Sequence, residues 1–412
     1  MCGLTNHQTE QNGLTEKKYR LADFLDTWWD IYAQSPKEYI QAEQYKAVNA
    51  IRTCRTAALG VDIYACPACG EVSEVYHSCK NRFCPNCSWQ DTIRWAEKVK
   101  HQMFNLPHRH VVFTLPFELN NLIKRNNGRL LNSLMRVTAD VFKDWIGQKY
   151  NLNIGILSVL HTFGEVKNYH PHIHMIVSWG GIDKTTGQLI ALPSDYVNYE
   201  FLQTKFRCKF EDSMLQLYDQ KRLEHSFKDR IDLLKFIRHI NKTKWVIHLE
   251  PPMAIPSSVV RYVGRYSKRA CISEYKITSI EGENIRFRYK DYKDKDYQGK
   301  PKEKELELPY YEFFPRLLQH VPLPYFRLVR YYGLYSTKSS IPKEYLYQEP
   351  ESGNEDDVDP DIDLVENSRY CIQCKREKEY QYTEVKKRIK ERFWKQEPIE
   401  PNRNFVYKRA VA

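Results

Sequence analysis

The sequence His170-Pro171-His172-Ile173-His174, continued by the apolar run Met175–Trp179, predicts a strand that carries reactive groups on one face. Successive side chains of a strand point to opposite faces of its sheet, so His172 and His174 share one face while Ile173 packs on the other. Two imidazoles at this spacing can bind one divalent cation and leave coordination positions open for an oxygen ligand. Open positions distinguish a reactive metal site from a structural one. The stretch therefore predicts a catalytic metal centre held by His172 and His174.

The segments around this strand predict an α+β fold. Strand-like runs occur at residues 154–163 and 244–249, and helical spacing occurs at 118–150 and 201–218. Because these segments do not repeat as βαβ units, we expect a mainly antiparallel sheet. The expected parts of the chain are an N-terminal helical region (1–60), a zinc ribbon (61–90), a main α+β domain (91–340), an acidic linker (341–368) and a basic helical tail (369–412).

Composition indicates a globular protein suited to nucleic acid. The chain has 412 residues, of which 42% are hydrophobic, and no apolar run reaches the roughly 20 residues that span a bilayer. The polar start at 1–18 has no apolar core of a signal peptide, so we expect a cytoplasmic protein without membrane contact. The net charge of +11, with 29 Tyr, 18 Phe and 8 Trp, combines cations for phosphate with surfaces for stacking. DNA or RNA is therefore the favoured partner.

Two Cys-x-x-Cys knuckles predict a structural zinc ion. Cys66-Pro-Ala-Cys69 and Cys84-Pro-Asn-Cys87 are separated by a short strand-like insert, which is the spacing of a zinc ribbon. Four thiolates close a tetrahedral shell and leave no position for substrate, so this Zn²⁺ is expected to stabilise the module. Cys79 is an alternative ligand, which either replaces a member of the second knuckle or serves a second ion.

Further cysteines and cations accompany the ribbon. Cys54 and His77 lie close to the knuckles in sequence and leave the choice of zinc ligands open. Cys371-Ile-Gln-Cys374 is half of a site, because an ion there would need ligands from elsewhere in the chain. The basic residues near the ribbon suit a phosphate backbone, with an ordinary solvated surface as the alternative. Those expected to contact DNA are Arg55, Lys80 and Arg82.

A predicted helix after Ser257 carries a second group of reactive side chains. Tyr262 and Tyr266 are four residues apart and so share one helical face. A phenol, with a pKa of about 10, attacks a phosphodiester once it is deprotonated and placed in line with phosphorus. The histidine strand would bind the metal and the tyrosines would supply the nucleophile, so the two motifs predict phosphodiester chemistry. The cations expected to stabilise the phenolate and the phosphate are Arg265, Lys268 and Arg269.

These motifs together resemble the two-tyrosine HUH rolling-circle transposases of bacterial insertion sequences, the IS91 type. The resemblance is carried by the cysteine-rich segment 54–87, by Val112-Phe113-Thr114-Leu115, by His172-Ile173-His174 and by the paired tyrosines. It implies a ferredoxin-like nuclease core within 91–340, with the histidine strand at the centre of the sheet. It also implies cleavage of single-stranded DNA through a 5′-phosphotyrosine intermediate and rejoining without ATP. Further stretches similar to the family are His320-Val321-Pro322 and Arg330-Tyr331-Tyr332-Gly333.

The third ligand of the catalytic metal departs from the family pattern. Related nucleases take a Gln, Glu or His from another element, and the segment from Tyr262 through Ile272 contains none of these. We favour Glu165, because it follows the adjoining strand and its carboxylate suits Mg²⁺ or Mn²⁺. The other candidates are His110, His161 and His170.

Two other functions are compatible with these motifs. An HUH replication initiator or conjugative relaxase would use the same chemistry on a different DNA substrate. A non-catalytic zinc-ribbon DNA-binding regulator would use the histidine strand and the tyrosine helix only as packing. The first alternative predicts nicking without joining of element ends, and the second predicts DNA binding without metal-dependent nicking.

Overall fold

The computed structural model describes residues 19–35, 39–193, 196–253, 270–348, 369–371 and 373–385. Helices and antiparallel sheets both occur there, which confirms the predicted α+β class. The helices are α1 (Leu21–Ala33), α2 (Ala42–Thr53), α3 (Pro85–Lys100), α4 (Asn120–Arg125), α5 (Asn127–Lys149), α6 (Tyr199–Asp219), α7 (Arg230–Ile240) and α8 (Tyr310–Leu318). The strands are β1 (Val61–Ala65), β2 (Val72–Tyr76), β3 (His108–Thr114), β4 (Leu152–Asn153), β5 (Gly155–Phe163), β6 (Tyr169–Ser178), β7 (Gly180–Asp183), β8 (Leu189–Ala191), β9 (Val246–Leu249), β10 (Ile277–Glu281), β11 (Asn284–Lys295), β12 (Pro301–Pro309), β13 (Val329–Gly333), β14 (Tyr370–Cys371), β15 (Arg376–Glu377) and β16 (Glu379–Glu384).

A five-stranded sheet with the order β13-β5-β6-β3-β9 forms the centre of the protein. Every neighbouring pair in it is antiparallel, as the sequence predicts. The histidine strand β6 occupies the middle position, between β5 and β3. Side chains of β5 and β3 therefore lie on both sides of those of β6, so residues from three strands can contribute to one site.

One face of the central sheet packs against the two long helices α5 and α6. Phe113 on β3 meets Phe142 of α5 at a ring-centroid distance of 6.0 Å and Phe206 of α6 at 4.9 Å. Ile173 and Met175 of β6 are fully buried in the same core. The apolar residues of α5 recur at helical spacing, and this amphipathic pattern explains why the helix lies on the sheet. Among the helices of the described ranges, none combines the length and the apolar character of a membrane span.

The N-terminal helices do not form a core of their own. Phe24 of α1 packs against Phe313 and Phe314 of α8, at centroid distances of 5.9 and 5.5 Å. Trp28 stacks on Tyr310 at 4.9 Å, and its indole nitrogen donates to the backbone oxygen of Gly282. Segments some 280 residues apart in sequence therefore share one hydrophobic cluster with the β10–β12 sheet.

The predicted helical tail is corrected over its described part. Residues 369–371 and 373–385 contain β14, β15 and β16, and β16 pairs with β1 along its whole length. The alternation Glu379-Tyr-Gln-Tyr-Thr-Glu384 suits a strand, and the free edge of β1 supplies hydrogen-bond partners that override helix propensity. The predicted start of the acidic linker at 341 is wrong, because the backbone nitrogen of Tyr347 donates to the oxygen of Met103 at 2.9 Å and so fixes residues up to 348 on the main domain. Residues 349–368 and 386–412 lie outside the described residues, so the linker over 349–368 remains a prediction.

Gly333, at the end of the edge strand β13, is required by its backbone geometry. Its φ is +59°, and a Cβ there would lie 2.1 Å from the backbone oxygen of Ile154. We expect Gly333→Ala to lower the free energy of unfolding by about 2–4 kcal/mol, measured by urea denaturation. Gly282 is the matched control, because its φ is +55° but a Cβ there meets nothing within 4 Å. Gly282→Ala should cost only about 1–2 kcal/mol, and equal losses would contradict a clash at Ile154.

Candidate active site and cysteine clusters

Three histidines from two strands converge on the face of the central sheet that α5 and α6 leave uncovered. The register pairs His161 of β5 with His172 of β6, and His174 lies two residues along the same face. One nitrogen of each ring lies within 4.8 Å of the other two. The structure thus brings together the predicted pair and adds His161. We call the side of the sheet that carries these three residues the histidine face.

The protonation of these rings suits metal binding. Nδ1–H of His172 donates to the backbone oxygen of His170 at 2.7 Å, so the lone pair of His172 is on Nε2. That Nε2 lies 3.2 Å from Nε2 of His174. Burial lowers the pKa of both His172 and His174 well below the usual value for imidazole, so both rings are neutral. A neutral imidazole is the form that ligates a cation.

His110 and His170 support the cluster from outside. Nε2 of His110 lies 3.0 Å from Nδ1 of His174, and the two rings are parallel with centroids 5.2 Å apart. His170 contributes its backbone oxygen to His172. Both histidines were candidates for the third ligand, yet each contacts a ligand candidate instead of completing the set. Such outer contacts orient the ligating rings.

Glu165 is not part of this cluster, which corrects the ligand favoured from sequence. Its carboxylate accepts hydrogen bonds from Nζ of Lys276 at 3.1 Å and from the backbone nitrogen of Lys290 at 3.2 Å. The cause lies in the connection after β5, where the backbone nitrogen of Gly164 donates to the oxygen of Asn168. This tight loop directs Glu165 toward β11 and away from the histidine face. On that face, His161 lies beside His172 instead.

Tyr262 and Tyr266, with Arg265, Lys268 and Arg269, lie outside the described residues. The residues that flank this segment are described on both sides. Met253 pairs with His108 of β3 and belongs to the apolar group that includes Leu157 and Ile176 on the histidine face. On the other side, the backbone nitrogen of Ala270 donates to Oγ of Ser88 at 3.0 Å, and Ala270 lines one cavity with His161.

The first cysteine cluster consists of Cys54, Cys79, Cys84 and Cys87. Sγ of Cys87 lies 3.5 Å from Sγ of Cys54 and 3.5 Å from Sγ of Cys79. Cys54 caps the C-terminus of α2, while Cys84 and Cys87 lie at the N-terminus of α3. The junction of two helices and the loop after β2 therefore brings the four thiols together, inside the cluster of apolar residues that α1 and α8 share.

The second cysteine cluster consists of Cys66, Cys69, Cys371 and Cys374. The single site predicted from the two ribbon knuckles is thus corrected, because each knuckle joins different partners. Pro85 begins α3 immediately after Cys84, which removes the second knuckle from the β1–β2 hairpin that bears the first. The signals for both clusters were present in the sequence, as the unassigned Cys54 and Cys79 and as the half-site at Cys371.

The predicted DNA-contacting cations have different surroundings. Arg82 donates to the backbone oxygens of Phe326 at 2.6 Å and Leu323 at 3.1 Å, and burial lowers the pKa of its guanidinium. Arg82 therefore anchors the 323–326 loop, but its side chain is exposed, and its contact with DNA remains a prediction. Arg55 and Lys80 have left-handed backbone conformations, with φ of +55° and +53°, and Lys80 is exposed. Contact of these two residues with DNA remains a prediction.

The stretches around His320 and Tyr331 hold β5 and its following loop in place. Nδ1 of His320 lies 3.1 Å from Oγ1 of Thr162, and Nε2–H donates to the backbone oxygen of Lys167 at 3.0 Å. Tyr331 on β13 accepts a hydrogen bond from the indole nitrogen of Trp95 at 2.9 Å. These contacts position the strand that carries His161.

Comparisons with known proteins agree with this organisation. Residues 155–342, which include the histidine strands and β13, match the family described as "Putative transposase", and residues 24–115 match "Transposase zinc-binding domain". The chain is 32% identical over 321 residues to "Putative transposase y4qJ" of Sinorhizobium fredii, covering 76% of this chain and 79% of that protein. It is 29% identical over 313 residues to "Transposase for insertion sequence element IS801" of Pseudomonas savastanoi pv. phaseolicola, covering 73% of each. No solved structure matches the chain. One matched region contains the first cysteine cluster, and the other contains the three converging histidines. The chain therefore belongs to the IS91-type family of transposases.

Proposed function

We propose that this transposase cleaves and rejoins single-stranded DNA through a 5′-phosphotyrosine intermediate, as in rolling-circle transposition. The observation that carries the proposal is the convergence of His161, His172 and His174 on the histidine face. Tyr262 and Tyr266 act as the nucleophiles. Support for their proximity comes from the described residues Met253 and Ala270, which flank the tyrosine segment and both contact elements beside this face.

The three imidazoles fit a divalent cation. The rings of His172 and His174 are neutral, and the three residues lie on two hydrogen-bonded strands and leave positions open for phosphate oxygens. A set of nitrogen ligands suits Mn²⁺ or a later transition metal better than Mg²⁺, which prefers oxygen. When bound there, the cation supplies positive charge to the non-bridging oxygens of the phosphodiester. The expectation of Mg²⁺ depended on the carboxylate of Glu165, which is paired with Lys276.

The chain's own residues perform the bond exchange. A tyrosine phenol loses its proton, and its oxygen forms a bond to phosphorus as the bond between phosphorus and the 3′ oxygen breaks. The leaving oxygen takes up a proton and becomes a free 3′-hydroxyl. Arg265, Lys268 and Arg269 stabilise the negative charge on the phenolate and the phosphate. The new ester retains the energy of the broken bond, so attack by a 3′-hydroxyl rejoins the strand without ATP.

Two tyrosines permit transfer between strands. While one phenol holds the 5′ end of the donor, the second is free to cleave another strand, and the exchanged 3′-hydroxyl completes the joining. A transposase needs both reactions, because it must connect the ends of its element to a target.

The first cysteine cluster provides the structural zinc of the family's zinc-binding domain. All four of its cysteines lie within the matched residues 24–115, and four thiolates form the closed shell of a structural site. Its position between α2 and α3 supports a role in joining the N-terminal helices to the main domain.

The proposed function is tested with the full-length protein and end-labelled oligonucleotides from the termini of the element that encodes it. In Mn²⁺, a single strand should yield an SDS-stable adduct on the 5′ end of the downstream fragment and a free 3′-hydroxyl upstream. The matched duplex should remain uncut. Cleavage of the duplex alone, or attachment through a 3′-phosphate, would refute the mechanism. Nicking without joining of element ends would indicate an initiator or relaxase, and DNA binding without an adduct would indicate a regulator.

A further inference from the structure

The second cysteine cluster joins two segments that are about 300 residues apart. Sγ of Cys69 lies 3.6 Å from Sγ of Cys371 across a sequence separation of 302. Cys371 is completely buried although it lies in a two-residue strand near the end of the described chain. The family's zinc-binding domain ends at residue 115 and the second matched region ends at 342, so neither includes Cys371 and Cys374.

The two knuckles of this cluster have the same backbone geometry. The nitrogen of Gly70 donates to the oxygen of Cys66 at 2.9 Å, and the nitrogen of Lys375 donates to the oxygen of Cys371 at 2.9 Å. The residue after the second cysteine is left-handed in both, with φ of +76° at Gly70 and +52° at Lys375. Each turn brings its two sulfurs to one side, so the facing knuckles offer four sulfurs around a common point.

Contacts outside the cysteines hold the knuckles against each other. Strand β16 extends the ribbon hairpin by pairing with β1, from Val61 opposite Glu384 to Ala65 opposite Glu379. Oγ1 of Thr383 donates to Asp62 at 2.6 Å. The guanidinium of Arg369 lies 5.0 Å from the ring centroid of Tyr64. The approach of the two segments therefore does not depend on the cysteines alone.

The charge around the second cluster is compatible with a tetrathiolate site. The thiol of Cys371 donates to the carboxylate of Glu71 at 3.0 Å, and zinc binding would replace that proton. Four thiolates with one Zn²⁺ carry a net charge of −2, to which the carboxylate of Glu71 adds. Lys378 offsets this charge, because its buried ammonium group lies 3.3 Å from the carboxylate of Glu71. The N–H group of Cys374 also donates to Sγ of Cys371 at 3.4 Å, which fixes the position of that sulfur.

We propose that the second cysteine cluster binds a zinc ion of its own, which fastens the C-terminal strands β14–β16 to the zinc ribbon. The donor set is the closed four-thiolate shell of a structural site, so the ion has no open position and takes no part in DNA cleavage. Its effect is to close a loop that contains the whole central sheet. Because the ligands come from both sides of this loop, zinc binding and docking of the tail are linked.

The proposal is tested by counting thiolate-bound zinc in the full-length protein with a mercurial reagent and a colorimetric zinc indicator. The background carries His172→Ala and His174→Ala, so that the imidazoles of the histidine face do not contribute. We expect two zinc ions per chain, and one after Cys371→Ser with Cys374→Ser. Cys208→Ser is the matched control, because Cys208 is exposed and belongs to neither cluster, and it should retain two. One zinc ion in the parent, or two in the double variant, would overturn the proposal.

A second measurement tests whether zinc holds the C-terminal strands on the ribbon, and it includes a variant that does not depend on the folding of the double variant. A protease site is inserted between residues 351 and 357, the chain is cut, and retention of a tag at the C-terminus is measured. The tail should dissociate slowly from the parent and from Cys208→Ser, and faster from the double variant, which keeps only the pairing of β16 with β1 and the polar contacts. Cys374→His keeps a zinc ligand and should restore both retention and the second zinc ion. Rapid release from the zinc-loaded parent, or equal rates of release from the parent and the double variant, would contradict a zinc fastening.

Discussion

Replacing Tyr262 and Tyr266 together with Phe is expected to abolish covalent capture of a nicked oligonucleotide. Phe keeps the ring and lacks the oxygen that forms the bond to phosphorus, so the rate of adduct formation should fall by about 1,000-fold or more. DNA binding, which depends on the cations and on stacking, should be unchanged. The adduct is measured on denaturing gels and binding by gel shift, with the same labelled single strand.

The controls for this experiment are other Tyr→Phe changes in the same chain. Tyr297 and Tyr325 are exposed by 94% and 101%, and Tyr297→Phe with Tyr325→Phe should leave adduct formation intact. Each single variant, Tyr262→Phe or Tyr266→Phe, should still form one adduct but fail to transfer strands. Adducts that persist in the Tyr262→Phe, Tyr266→Phe double variant would show that another residue is the nucleophile.

Removal of the imidazole of His161 is expected to have the second-largest effect. His161 is paired in register with His172 and lies in the same three-nitrogen cluster, so His161→Ala should lower metal-dependent nicking by on the order of 100-fold or more. The measurement is the nicking rate as a function of Mn²⁺ concentration. His161→Gln keeps a side-chain oxygen near the same position and should recover part of the activity at high Mn²⁺.

Glu165→Gln separates the two assignments of the third ligand. Glu165 is bound to Lys276 and to the backbone of Lys290, so its amide variant should nick at close to the parental rate and require the same Mn²⁺ concentration. If Glu165→Gln lost activity as His161→Ala does, the carboxylate would have to reach the metal, and the assignment of His161 would be wrong. Circular dichroism and thermal unfolding establish that each variant is folded.

Local pattern was sufficient for much of the fold and for two of the three residues of the candidate metal site. Alternation along β6 places His172 and His174 on one face in any antiparallel sheet, because the side-chain period of a strand is two residues. Helical spacing identified α5 and α6, and the Cys-x-x-Cys knuckles indicated zinc. Each of these inferences concerns residues close together in sequence, where backbone geometry alone determines which side chains are neighbours.

The partners of those residues depended on long-range pairing. The sequence favoured Glu165 and left His161 among the other candidates. Only the register of β5 against β6 places His161 beside His172, while a tight loop directs Glu165 to Lys276. The same applies to the first knuckle, whose partners at Cys371 and Cys374 are brought near by the pairing of β16 with β1. Register and strand order arise from hydrogen bonding and packing between distant segments. Local periodicity therefore determined which face carries each functional group, and tertiary structure alone decided which groups meet.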